Sequence, residues 1–237
     1  MSTFPGGTSL SFLDVYSDPA PDGICGGSPH MHTASTECYI AVGGRGQLHS
    51  LTSDGYRETN LEDGRIAWFT PGTIHRAVNI DRVKLVVLMS NAGLPEAGDA
   101  VMTFPAPYLA DAERYLAAAA LPASASEEQL ARAASRRRDL AVEGYLPIRD
   151  ALIAGDDRPL GAFREAAARL VEERTGSWTQ IVVDGPLAQA QLTLDVLARM
   201  GSGDSSHLAD AAVVDGLEPE HRFGMCGRLA AFDVVER

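Results

Sequence analysis

The segment Pro29-His-Met-His-Thr-Ala-Ser-Thr-Glu37 sets His30 and His32 two residues apart and Glu37 five residues further on. A strand alternates its side chains between two faces, so both imidazoles share one face. Glu37 has the opposite parity, and it reaches that face only if Thr33–Thr36 turns or bulges to reset the register. Another histidine, His75, follows the tight-turn pair Pro71-Gly72 and opens the next apolar run. Neutral imidazole and carboxylate are ordinary donors for Fe, Mn, Co, Ni, Cu or Zn. Three histidines with one carboxylate leave a divalent ion net positive. In an octahedral arrangement they also leave up to two positions for a substrate, water or dioxygen.

Other reactive side chains are weaker candidates. Tyr39 shares the Glu37 face and is read either as a pocket-lining group or as a barrel-core aromatic. His49, across a short turn from the Glu37 strand, is a candidate to orient a ligand or accept a proton, weighed against a satisfied core or surface histidine. His207 and His221 lie in polar surroundings and are read as surface residues. The lone lysine, Lys84, sits in an apolar run, which argues against amine chemistry. Arg136-Arg137-Arg138 is flanked by acidic helices and reads as a solvated, ion-paired face.

These residues need a scaffold, and the first 105 residues describe one. Short runs rich in Val, Ile, Leu, Phe and Tyr are predicted as strands over Ser9–Tyr16, Glu37–Val42, Gln47–Thr52, Tyr56–Asn60, Ile66–Thr70, Ile74–Ile80 and Val83–Ser90. Turn chemistry separates them, at Gly43–Gly46, Asp54-Gly55, Asp63-Gly64 and Pro71-Gly72. Evenly spaced short strands of this kind predict an antiparallel sandwich or barrel. After residue 105 the pattern turns helical, with expected helices over Tyr108–Ala120, Ser126 to about Glu143, Pro159–Glu173, Pro186–Met200 and a short Ser206–Val214. Ser126 and Gln129 have capping-box spacing. Trp178–Val183 fits strand or helix. A final stretch, 228–235, alternates weakly; if it returns to the barrel, the helices form an insertion rather than a tail.

Taken together, the motifs resemble the two of the cupin superfamily. The first family motif, G-x5-H-x-H-x3–4-E-x6-G, is matched by His30, His32, Glu37 and Gly44, with Ile24 where the leading glycine is usual. The second, G-x5-P-x-G-x2-H-x3-N, is matched by Gly64, Gly72, His75 and Asn79, with Thr70 where the proline is usual. The resemblance spans roughly residues 8–105. It implies a cupin, or jelly-roll, β-barrel over 1–105 followed by a mostly helical region over 106–237, α+β overall. It also implies one divalent transition metal (Fe, Mn, Ni or Zn) on His30, His32, Glu37 and His75, with Asn79 supporting the barrel. The implied activity is that of a metal-dependent enzyme on a small organic molecule, with oxygenase chemistry first. Isomerase or hydrolase chemistry and a non-catalytic binding or sensor barrel are the alternatives. A homodimer is the implied assembly.

Bulk composition narrows the partners. Twenty Lys and Arg stand against 32 Asp and Glu, a net charge of −12. That balance repels phosphate backbones and anionic membrane surfaces, so neither nucleic acid nor membrane is expected. Cys25, Cys38 and Cys226 are odd in number and widely spaced, which reads as reduced thiols. With no signal-like leader and no long apolar run, the expected location is the cytoplasm.

Overall fold

A computed structural model describes residues 4–214 and 219–232. Seven strands come first: β1 Ser9–Val15, β2 His30–His32, β3 Glu37–Thr52, β4 Gly55–Glu62, β5 Ile66–Phe69, β6 Ile74–Met89 and β7 Ala100–Met102. Six α-helices follow: α1 Ala106–Leu109, α2 Ala112–Ala119, α3 Glu127–Ile153, α4 Arg158–Val171, α5 Thr175–Val182 and α6 Ala188–Gly201. The chain then returns as β8 Glu220–Phe223 and β9 Gly227–Ala231. All pairings are antiparallel, and the main path runs β4-β3-β6-β1-β9-β8, with β2 bridging β6 and β7 and β5 flanking β3.

Two long strands make the barrel. Each of β3 and β6 is read from sequence as two short strands, and each is one continuous strand of 16 residues. The expected turn at Gly43–Gly46 is a pair of register shifts, between Ala41 and Gly43 and between Arg45 and Gly46. Gly44 (φ +67°) is pressed so close to β6 that a Cβ there would lie 2.3 Å from both Asp81 O and Arg82 O. Such bulges bend a strand without ending it. The first half of β3 and the second half of β6 therefore pair with β5 and β1, while their other halves pair with β4 and β2, and β2 in turn pairs with β7.

The two halves face each other across an apolar interior of Leu13, Tyr39, Leu48, Leu61, Phe69, Ala77, Leu85 and Val87. Asn79 stitches the frame, donating to Val15 O and accepting from Val83 N, as the resemblance implies. Outside, the halves differ. The helices cover the back of the β2–β7 half, packing Tyr145, Leu160, Phe163 and Trp178 against Met31, Leu51, Ile74 and Val101. The back of the β1–β5 half stays open and apolar, with Phe12, Ile66 and Trp68 exposed, Trp68 by 70%.

Two of the expected helices have other bounds in the structure. Tyr108–Ala120 is two helices, because Asp111 accepts from Arg114 N and restarts the chain as an N-cap. The Ser126/Gln129 capping box forms, but α3 runs ten residues past Glu143 and through Pro147. Tyr145, Ile148 and Leu152 keep its buried face going, and that burial outweighs the proline. Trp178–Val183 is helical, in α5 and the π turn that joins it to α6. The returning strand is real: Gly227–Ala231 pairs with Ser11–Val15, so the helices lie between barrel strands in the chain. Residues 233–235 of the expected strand lie outside the described residues. No described helix is long and apolar enough to cross a membrane.

Candidate metal centre

Three separate stretches of chain bring the site together. β2 carries His30 and His32, β3 opens on Glu37, and β6 brings His75 directly opposite His30. The connection Thr33–Thr36 is an irregular bend between β2 and β3, which supplies the register reset that Glu37 requires. One donor atom from each of His30, His32, Glu37 and His75 lies within 4.8 Å of all the others, and all four residues are buried.

Each imidazole is aimed by its other nitrogen. The Nδ1 atoms reach outward: His30 to Ser28 O at 2.9 Å, His75 to Thr73 O at 3.2 Å, and His32 to Asp99 Oδ1 at 2.7 Å. Carbonyl and carboxylate acceptors hold a proton on Nδ1, so each Nε2 faces inward, the arrangement a metal-binding histidine needs. Inside, Glu37 Oε2 sits 3.1 Å from His32 Nε2 and 3.0 Å from His75 Nε2. Glu37 Oε2 and His75 Nε2 are buried and make no well-aligned hydrogen bond. Buried polar atoms are ordinarily paired, so orphans pointing at one centre suit a coordinated cation. By donor chemistry and placement, these four side chains could hold one divalent transition metal.

The surroundings charge the cluster in a definite pattern. Burial, reinforced by His75 and His32, pushes His30 well below its ordinary value and keeps it neutral. Burial also opposes a charge on His32, but Asp99 and Glu37 together outweigh it and push this histidine up to about 9. Glu37 is held far below the carboxylate range, because His75 and His32 outweigh the burial that would raise it. Without metal, His32 therefore carries a proton between two carboxylates at neutral pH. A metal must expel it, so apparent affinity should rise with pH up to about pH 9. Calorimetric titration in buffers of different ionisation enthalpy should show at least one proton released per metal at pH 7; no proton release would contradict this charge pattern.

Asp99 has no place in either sequence motif, and the sequence reading missed it. It is fully buried, and it accepts from His32 Nδ1 and from Ser35 N at 2.8 Å, tying the Thr33–Thr36 bend to the site. Supporting groups of this kind typically govern metal affinity by about 10–100-fold. Asp99→Asn should weaken metal binding by that factor while the fold persists, as competition with a chromogenic chelator would measure.

The helical half braces these supports. Arg164 of α4 donates from Nε and Nη2 to Gly72 O, next to the Thr73 carbonyl that aims His75. Arg174 and Trp178 donate to Gly98 O and Ala97 O, just before Asp99. In the arginine cluster only Arg136 is exposed. Arg138 is buried and donates to Asp18 O and Pro19 O, and Arg137 donates to Ala119 O and Gly224 O. The expected pairing with an acidic group holds for Arg138, which bonds Asp139 at 2.9 Å, but these two residues are not a solvated face: they clamp backbone carbonyls.

Tyr39 lies in the barrel core behind the centre, its ring edge-on to Phe69 and 6.3 Å from the His75 ring, with its hydroxyl 3.6 Å from Cys226 Sγ. The other histidines fall outside the site. His49 faces the helices: it pairs across β3 and β6 with Arg76, on the opposite face from His75, and bonds Tyr56 and Gln47. His221 is exposed on β8, and His207 lies in a 3-10 turn beyond α6.

A chamber of about 130 Å3 adjoins the cluster, with His30, His32 and Glu37 at its floor. Its walls are Leu13, Val87 and Met89 of the barrel strands together with Met225, Cys226, Leu229 and Ala231 of the returning segment. The exposed Glu96 and Arg222 mark its mouth. Burial, with the Glu37 charge nearby, pushes the Cys226 thiol up to about 12, so it is a neutral wall group.

The strand order and the four-residue centre give the double-stranded β-helix that the cupin resemblance implies. No protein-family model matches the chain, and no curated protein does. Solved structures are similar to it in part. A conserved protein with a double-stranded β-helix domain from Klebsiella pneumoniae aligns at 17% identity over 40% of this chain and 72% of its own, with TM-score 0.31. A Cupin 2 conserved barrel domain protein from Salinispora arenicola aligns at 20% identity over 40% and 73%, also at 0.31. WlaRA, a TDP-fucose-3,4-ketoisomerase from Campylobacter jejuni, aligns at 12% identity over 39% and 64%, at 0.32. The fold assignment itself rests on the strand order and residue placement described above.

Proposed function

We propose that this protein is a metal-dependent cupin enzyme acting on a small organic molecule, with His30, His32, Glu37 and His75 as the ligands of one divalent transition metal. The observation that carries the reading is the convergence of four buried donor atoms within 4.8 Å, each imidazole held from behind, beside a chamber. An open-sided metal supplies Lewis acidity, and with iron it supplies dioxygen chemistry as well. The chain's own residues do the rest. Ser28, Thr73 and Asp99 fix the imidazoles, Glu37 lowers the net charge of the site, and the apolar chamber walls exclude bulk water around a bound substrate.

Oxygenase chemistry with iron is the reaction we place first. The test is metal analysis of protein made without chelators or a histidine tag, followed by dioxygen uptake across a panel of small organic substrates. Bound iron with substrate-dependent uptake supports the oxygenase. Bound metal with turnover but no dioxygen uptake replaces it with isomerase or hydrolase chemistry. Zinc or no metal, with no turnover of any kind, overturns the enzyme reading in favour of a binding barrel.

A further inference from the structure

The returning segment 224–231 does more than close a sheet. Leu229 pairs with Leu13 across β9 and β1, and both side chains point into the barrel. The turn before it is fixed from three directions. Ser28 N donates to Met225 O at 2.8 Å, Tyr16 N to Cys226 O at 3.2 Å, and Arg137 Nη2 to Gly224 O at 2.8 Å. Gly27 lets the chain pass so close that a Cβ there would lie 2.4 Å from Cys226 Cα. This wall is therefore held in place by β1, by the segment leading to His30, and by α3. The space it bounds is small, about 130 Å3. Apart from the centre's own groups at the floor, the charges lining the chamber, Glu96 and Arg222, are exposed at the mouth and opposite in sign.

We propose that β9 sets the size limit of the site, with Leu229 as the specificity-determining residue. The ligand class is a short-chain, uncharged or weakly charged molecule that presents oxygen donors to the metal and fills the chamber with a group no larger than a few carbons. This rests on the metal reading above and deepens it.

The test needs no knowledge of the substrate. The protein is loaded with Co(II), the bound cobalt is counted, and its visible spectrum is titrated with acetohydroxamate and with benzohydroxamate. Both probes offer the same two oxygen donors and differ only in the group that must fit the chamber. Acetohydroxamate should bind at least about 10–100-fold more tightly, the range a fitted apolar pocket achieves for small steric differences. Leu229→Ala should shrink that ratio to a few-fold. Leu229→Phe should weaken acetohydroxamate itself. Val86→Ala, a comparable deletion on the open outer face of the same sheet, should leave the ratio unchanged. If cobalt binds one per chain and the wild-type protein takes both probes equally, the size limit is refuted. The same follows if Leu229→Ala and Leu229→Phe both keep the wild-type preference. If cobalt does not bind at all, the metal reading fails first and takes this one with it.

Discussion

Replacing His75 by alanine should reduce bound metal from about one ion per chain to almost none. His75 is wholly buried, wedged between the His30 ring at 4.1 Å and the Phe69 ring at 4.2 Å, with Nδ1 held by Thr73 O and Nε2 facing Glu37. No described neighbour can take its place: His49 faces the helices and Cys226 is a neutral thiol in the chamber wall. Loss of a supporting residue behind a ligand already costs about 10–100-fold, so loss of a ligand should cost more. Truncation also leaves a hole, so His75→Gln, which keeps most of the volume, separates coordination from packing. Both variants should lose metal in elemental analysis while His75→Gln keeps wild-type circular dichroism. Stoichiometric metal in both would show that the centre is assigned to the wrong residues.

The second large effect lies one residue away. Arg76 follows His75 on β6 but faces the other side, and none of it reaches solvent. Its guanidinium donates to Gly27 O, to Ile24 O and to the Asp22 carboxylate at 2.5 Å. Burial would raise Asp22, yet Arg76 holds it below its ordinary carboxylate value. Removing one member of a buried pair strands the other charge, at a cost of about 3–5 kcal/mol. For a chain of this size, Asp22→Ala should therefore lower Tm by roughly 6–20 °C. The sign with pH follows. A carboxylate whose folded value is depressed stabilises the fold above its unfolded value near 3.8, and that contribution is lost as pH falls through the folded value. The wild-type advantage over Asp22→Ala in thermal melts should hold at pH 7 and narrow in acid; an equal Tm at pH 7 would show that Arg76 finds another partner. Arg76 also pins the strand of chain that carries Ser28, so the same variant should loosen His30.

Both effects bear on what the sequence could disclose. The four donors were legible because their constraints are local. A two-residue spacing fixes a face, Pro71-Gly72 fixes a turn, and parity alone demands the bend at Thr33–Thr36 that the structure contains. The length of β3 was not legible. Gly43–Gly46 has turn composition, and only the approach of Asp81 and Arg82 from β6 makes it a bulge. The extension of α3 was hidden for a similar reason: Pro147 signals an end, while Tyr145, Ile148 and Leu152 are buried by partners remote in sequence. Asp99 and Leu229 stand 67 and about 200 residues from His32, with no spacing to connect them, so their parts depend on contacts that only folding creates.

The order of elements along the chain has a consequence during synthesis. The four donors have all been made by residue 75, and β7 ends at Met102, but β9 begins only at Gly227. At ordinary translation speeds of about 5–20 residues per second, the intervening stretch takes roughly 6–25 s to emerge. Until β9 arrives, the β1 edge that it will pair with stays bare, a template on which a second nascent chain could add a strand. The same interval leaves the donor cluster reachable from the side that later becomes a wall. Ion capture at that stage would be fast and unselective for size, and exchange would slow once the last strand is laid down.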